Sequence, residues 1–123
     1  MKILEWECTK CGTRIISKSW MTHQMDVCKC KACGVDLEEY YCRKYDNSYF
    51  KIIRSKKVSE LEFGERRELL DCGTYGKNGD GPYSRIKIKD MKTEHIKAIL
   101  NEPYPIHSRF IITFKEELKY REE

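Results

Sequence analysis

Apolar residues in the first half of the chain recur in short, partly alternating runs that are typical of β-strands. Four such runs lie at residues 3–6, 14–17, 35–41 and 49–53, and they are rich in aromatic and β-branched side chains. The spacing predicts short strands separated by turns. The following stretch is ambiguous, because residues 58–63 suit a strand while residues 65–70 suit one or two helical turns.

The second half of the chain changes its apolar period. Residues 84–89 alternate as a half-buried strand does, and the Asn-Gly and Asp-Gly pairs within Asn78–Gly81 predict a hairpin tip before it. Two helices are then predicted, capped by Thr93 and Ser108 and separated by a proline-bearing link. Their apolar positions are Ile96, Ile99 and Leu100 in the first helix and Phe110, Ile111, Phe114 and Leu118 in the second.

Composition indicates a small protein with an extensive charged surface and a limited core. The 123 residues are 40% hydrophobic and 36% charged, and no apolar run approaches the ~20 residues that a membrane helix needs. The segment 1–7 is too short and too acidic for a signal peptide, so a cytoplasmic location is expected. Seven cysteines without an export signal favour thiols bound to a metal over disulfides.

Two Cys-x-x-Cys-Gly motifs carry the clearest chemistry in the sequence. Each motif places two thiols on one side of a tight turn, and 18 residues separate Cys11 from Cys30. Zn²⁺ prefers four such sulfur ligands in a tetrahedron. The predicted ligands are Cys8, Cys11, Cys30 and Cys33.

Alternatives to this ligand set remain open. Cys28 forms a second pair with Cys30 and is an alternative ligand to Cys33, and His23 is a weaker substitute. Iron in a rubredoxin-like centre, or reduced cysteines without metal, would fit the same spacing. Cys42 and Cys72 have no partner spacing and are expected to be buried free thiols.

The first motif begins the stretch Cys8-Thr-Lys-Cys-Gly-Thr-Arg-Ile-Ile-Ser-Lys, and the chain then continues to Cys28-Lys-Cys30. This region resembles small phage-encoded zinc-ribbon proteins of uncharacterised function. Those proteins show Cys-x-Cys-Gly at the second motif, whereas here Lys31 follows Cys30. The segment 88–96, followed by Glu-Leu-Lys-Tyr-Arg at 117–121, is similar to a helix-pair element of phage accessory proteins. The resemblance implies an accessory protein that binds a host macromolecule, in the host cytoplasm if the source is viral.

These features together predict an α+β fold. An N-terminal zinc ribbon with four cysteine ligands and short antiparallel strands (1–42) precedes a β-rich extension with a hairpin (43–90) and a C-terminal αα-hairpin (91–123), all packed as one compact unit. Zn²⁺ is the expected cofactor, and no membrane partner is expected.

Residues 43–57 interleave basic and aromatic side chains and carry a net charge of +5. Cations that meet phosphates beside rings that stack on bases are the chemistry of RNA and single-strand binding surfaces. The favoured alternative is that the aromatic residues are core and the cations form a solvated strand face, because a half-buried strand has the same pattern. The candidate nucleic-acid residues are Arg43, Lys44, Tyr45, Tyr49, Lys51, Arg54, Lys56 and Lys57.

Catalysis is not expected. Glu94 and His95 are adjacent and would point about 100° apart on a helix, and Gly73–Gly81 lacks the Lys-Ser/Thr of a phosphate loop. The predicted function is therefore a non-enzymatic zinc-binding protein. It would bind a host protein or protein–nucleic-acid complex and modulate or inhibit it, for example in defence or transcription. RNA or single-stranded nucleic-acid binding is the alternative function.

Overall fold

A computed structural model describes residues 1–21, 24–45, 47–74, 81–82, 84–101 and 107–122. The chain forms two compact units, residues 1–60 (the N-terminal unit) and residues 61–123 (the C-terminal unit). The segment 43–90 of the sequence-based division is thus shared between the two units. Antiparallel sheets and helices confirm the α+β class.

The N-terminal unit is built on two three-stranded antiparallel sheets. In the first, the order is β2-β1-β6, with the apolar strand β1 in the centre. In the second, the order is β3-β4-β5. The strands are β1 (Lys2–Cys8), β2 (Arg14–Lys18), β3 (Asp26–Val27), β4 (Gly34–Leu37), β5 (Cys42–Lys44) and β6 (Phe50–Lys57).

Alternate residues of β1 supply one side of the core of this unit. Leu4, Trp6 and Cys8 point to the same face, as period two requires, and pack with Val35 and Leu37 of β4. The Trp6 ring is fully buried and stacks on Phe50 at 5.4 Å, so β6 is attached to the core at its first residue. The predicted strands at residues 3–6 and 14–17 are confirmed. The strand predicted at 35–41 ends at Leu37, and the one predicted at 49–53 begins at Phe50 and extends to Lys57.

In the part of it that is described, the C-terminal unit combines a two-stranded sheet with three helices. Strands β7 and β8 pair antiparallel, but residues 78–80 of the predicted tip lie outside the described residues. The elements are α1 (Phe63–Leu69), β7 (Asp71–Thr74), β8 (Ser84–Lys87), α2 (Thr93–Leu100) and α3 (Ser108–Glu122), with a 3-10 turn at Ile88–Asp90. In the N-terminal unit, a 3-10 turn at Val58–Glu60 replaces the strand that residues 58–63 could have formed.

The two C-terminal helices are confirmed, but their predicted caps are wrong. Lys92 precedes α2 without a side-chain cap, and the Thr93 hydroxyl instead accepts a hydrogen bond from Arg121 at 3.0 Å. At α3, the His107 side chain accepts from the Arg109 N–H, so His107 rather than Ser108 occupies the cap position. The hairpin link itself stays a prediction, because residues 102–106 are outside the described part of the chain.

Candidate metal centre

The first cysteine motif folds into a closed turn between β1 and β2. The Cys8 N–H donates to the Thr13 carbonyl at 2.9 Å, and the Gly12 N–H donates to the Cys8 carbonyl at 2.7 Å. Gly12 has a φ of 77°, a left-handed conformation that glycine adopts without steric cost. Cys8 and Cys11 are thereby presented on one side of the turn.

The second turn is a similar but tighter construction with Cys28 at its start. The Cys28 N–H donates to the Cys33 carbonyl at 3.1 Å, and the Lys31 N–H donates to the Cys28 carbonyl at 3.0 Å. Lys31 has a φ of 64°. In both turns the left-handed residue directly follows a cysteine, Cys11 in the first and Cys30 in the second, so Lys31 occupies the place that Gly12 has in the first turn.

Four sulfur atoms converge where the two turns meet. The Sγ atoms of Cys8, Cys11, Cys28 and Cys30 all lie within 4.8 Å of one another. The Cys8–Cys30 and Cys28–Cys30 sulfur distances are 3.7 and 3.5 Å. A tetrahedral ion with bonds of about 2.3 Å requires sulfur–sulfur distances of about 3.8 Å, so this donor set fits a metal ion with four thiolate ligands.

Cys33 does not belong to this sulfur group. Its side chain is fully buried, and its Sγ lies 3.6 Å from Asn47 Oδ1. Its backbone N–H donates to Cys28 Sγ at 3.3 Å, which is how a backbone amide supports a thiolate ligand. Three of the four predicted ligands are therefore brought together, and Cys28, the alternative ligand, takes the fourth position in place of Cys33.

Gly34 does not repeat the role of Gly12 in the first motif. It lies in β4 rather than at a left-handed turn position, and it is buried. A Cβ atom at this position would come within 2.9 Å of the Tyr45 ring. The glycine therefore permits close packing of Tyr45 against β4, and the Cys33-Gly34 pair does not have the turn function of Cys11-Gly12.

Competition for negative charge shifts the pKa values of Cys11 and Cys30 in opposite directions. The Thr13 hydroxyl, 3.0 Å from Cys11 Sγ, and backbone amides lower the pKa of Cys11 to about 5. For Cys30, the Ala32 N–H favours the thiolate, but burial and the neighbouring sulfur atoms outweigh it and raise the pKa of Cys30 to about 12. A bound divalent cation would remove this competition, because a coordinating thiol is deprotonated outright.

Replacing Lys31 by glycine should stabilise the metal-loaded protein by about 0.5–1 kcal/mol. A side chain in the left-handed region costs about 1–2 kcal/mol, which the glycine relieves. The greater flexibility of glycine in the unfolded chain offsets part of this gain. Urea denaturation of the metal-loaded protein measures this change. Lys29→Gly is the matched control and should destabilise by a similar amount, since Lys29 has no positive φ to relieve. Equal destabilisation by both substitutions would contradict the assignment of the second turn.

The remaining cysteines are free thiols. All seven cysteines lie in the described part of the chain and none forms a disulfide. Burial raises the pKa of Cys72 to about 11, so this thiol is a poor nucleophile at neutral pH. Cys42 is exposed, which corrects the expectation that it is buried. His23 lies outside the described residues.

The candidate nucleic-acid residues lie on β5, on β6 and on the loop between them. Arg54 differs from the other candidates, which are exposed, because its side chain is partly buried and its Nε forms an ion pair with Glu5 Oε1 at 2.7 Å. The tyrosines are not core residues: the exposed fractions of Tyr45 and Tyr49 are 42% and 41%. The expectation that alternate aromatic residues are buried is thus wrong for these two rings, whereas Phe50 is partly buried and stacks on Trp6.

Asn47 is a structural residue that no sequence motif singles out. Its amide nitrogen donates to the Ala32 carbonyl at 2.5 Å, and its Oδ1 accepts from the Tyr49 N–H at 2.9 Å. Asn47 therefore ties the loop between β5 and β6 to the second cysteine turn. An asparagine between two strands is a signal for such a side-chain-to-backbone bond, although the sequence does not reveal its distant partner.

Comparison with known protein families, with curated proteins and with solved structures finds no match to this chain. The resemblance to phage zinc-ribbon proteins therefore stays a prediction. Within the described residues, no helix combines the length and the apolar character that crossing a membrane requires.

Proposed function

We propose that this chain is a non-enzymatic binding protein whose N-terminal unit is held together by one zinc ion. The observation that carries the proposal is the convergence of Cys8, Cys11, Cys28 and Cys30 within 4.8 Å. Four thiolates are the donor set of structural zinc sites, and zinc binding contributes ~10 kcal/mol or more to the folding of such small units.

Four protein ligands leave no coordination position for water or substrate. Catalytic zinc sites have three protein ligands and an open position, so the four-cysteine group supports a structural role. Two of the thiols, those of Cys8 and Cys28, are buried, which suits an ion that joins two turns. The resemblance to phage accessory proteins adds a partner class, a host macromolecule that the protein would modulate or inhibit.

Cobalt substitution tests the structural role of the site. The protein loaded with Co²⁺ should show the intense visible absorption of a tetrahedral thiolate complex, and adding cyanide or azide should leave the spectrum unchanged because no position is free. A spectral shift on addition of these anions would indicate an open position and would overturn the non-enzymatic proposal. If the purified protein is purple or red and contains iron, the metal of this site is iron and not zinc.

Nucleic acid is a second candidate partner, and one observation favours it. Tyr45 and Tyr49 are both exposed beside basic side chains, whereas a solvated strand face over an aromatic core would have buried them. Exposed rings next to cations are the groups that bind unpaired bases and phosphates.

A further inference from the structure

We propose that a surface beside the metal centre binds single-stranded nucleic acid, and that the metal centre holds this surface in its binding shape. We call it the tyrosine surface. The inference rests on the proposed zinc site. The tyrosine surface consists of Lys10, Lys44, Tyr45, Tyr49 and Lys51.

The two tyrosines supply rings that unpaired bases can stack on. Tyr45 packs one part of its ring over the backbone of Gly34, and its N–H donates to the Gly34 carbonyl at 3.0 Å. Tyr49 directly precedes β6, with Lys10 Nζ 5.5 Å from its ring centroid. Both tyrosines are partly exposed, and backbone hydrogen bonds hold the chain at each of them, an arrangement that reduces the entropy lost on binding.

Three exposed lysines lie on the turn and strands that adjoin these rings. Lys44 Nζ lies 5.0 Å from the Phe50 ring centroid, while Lys10 and Lys51 are exposed on the adjacent turn and strand. Among the described residues, none of the three forms an ion pair with a carboxylate, so their charge is available to a phosphate. Residues 1–60 carry 12 basic and 8 acidic side chains, while residues 61–123 carry 12 of each, so the positive excess belongs to the N-terminal unit.

The loop that carries the tyrosines is attached to both cysteine turns. Asn47 binds the Ala32 carbonyl in the second turn. On the other side, the Thr9 N–H in the first turn donates to the Tyr49 carbonyl at 2.8 Å, and the Thr9 hydroxyl donates to the same oxygen at 3.1 Å. An ion that joins the two turns therefore also fixes Asn47 and Tyr49 of this loop relative to each other.

Single strands fit this surface better than the other anionic partners. Bases paired in a duplex offer their faces to each other and cannot stack on Tyr45 and Tyr49. An acidic protein would use the lysines but would leave the rings without a specific role. RNA and DNA share the chemistry that the surface recognises, and both are included in the test.

Fluorescence anisotropy with labelled 12-nucleotide oligo(U) and oligo(dT) tests the proposal on the zinc-loaded full chain. Binding of either strand should weaken with salt, with a slope of log K against log salt near −2 for three phosphate contacts. Tyr49→Ala should weaken binding by about 5- to 100-fold, while Tyr49→Phe retains the ring and should bind like the parent. Lys51→Gln should reduce the salt slope, and the control Lys97→Gln, an exposed lysine on α2, should not.

Asn47→Ala tests the link to the metal centre. This variant should keep its zinc and lose about ten-fold in affinity, because the loop loses its attachment to the second turn. Zinc-loaded protein that binds neither strand, or that binds a duplex or polyglutamate as tightly, would overturn the inference and leave the proposed zinc protein intact. A chain that binds no zinc would overturn the proposed function itself.

Discussion

Replacing Cys28 by serine should abolish stable metal binding and unfold the N-terminal unit, residues 1–60. The four-sulfur group loses a buried ligand, and zinc binding worth ~10 kcal/mol or more is comparable to the whole stability of a small domain. Zinc content per chain and the far-ultraviolet circular dichroism of the purified variant measure the two effects. The parent protein treated with a strong chelator should show the same loss of structure.

Cys33→Ala is the matched control for this experiment. Cys33 is as deeply buried as the ligands Cys8 and Cys28, but its thiol, which contacts Asn47 and lies beside that of Cys8, is not one of the four converging sulfur atoms. Its replacement should keep one zinc per chain and cost only about 1–2 kcal/mol of stability, typical of a small change in a core. If Cys33→Ala loses zinc while Cys28→Ser retains it, the ligand set is the other one that the two motifs allow.

Replacing Glu117 by glutamine should destabilise the C-terminal unit by about 3–5 kcal/mol, because removing one partner of a buried ion pair leaves the other charge uncompensated. The Glu117 side chain is fully buried, and its two oxygens accept from Arg67 Nε at 2.7 and 3.0 Å. Urea denaturation followed by circular dichroism, with the N-terminal unit held by zinc, measures the change.

Two further variants separate the ion pair from a general effect of mutating α3. Glu122→Gln changes an exposed residue of the same helix and should stay within about 0.5 kcal/mol of the parent. Arg67→Met combined with Glu117→Leu removes both charges, and the double variant should be more stable than Glu117→Gln alone. A cost below about 1 kcal/mol for Glu117→Gln would show that the pair does not hold α1 and α3 together.

The metal ligands could be predicted from the sequence only up to the choice between Cys28 and Cys33. Two Cys-x-x-Cys-Gly motifs indicate which turns converge, and the glycine that ends each motif favours Cys33 as a ligand. Gly34 is instead required by the approach of the Tyr45 ring, and the left-handed position of the second turn is occupied by Lys31. A close contact between distant residues and an unfavourable φ at a lysine leave no pattern in the sequence.

The alternation of apolar residues predicts the strands of the N-terminal unit, as β1 illustrates. In the C-terminal unit, by contrast, some of the buried positions are polar and no apolar pattern predicts them. The helical pattern selects Phe110, Ile111, Phe114 and Leu118, and of these Phe114 is fully buried. The other fully buried positions of α3 are Thr113 and Glu117, which the pattern does not select. Glu117 is buried because Arg67, 50 residues earlier, faces it. The exposure of Tyr45 and Tyr49 could not be predicted from the sequence either, because an aromatic residue next to a strand is more often a core residue.

X-ray absorption spectroscopy at the metal edge of the purified protein tests the assignment of the metal centre most directly, because it counts the sulfur atoms bound to the ion. A single zinc ion with four sulfur neighbours at about 2.3 Å is the predicted result. A nitrogen or oxygen ligand in that shell, or a folded chain without bound metal, would contradict the claim that Cys8, Cys11, Cys28 and Cys30 bind one ion.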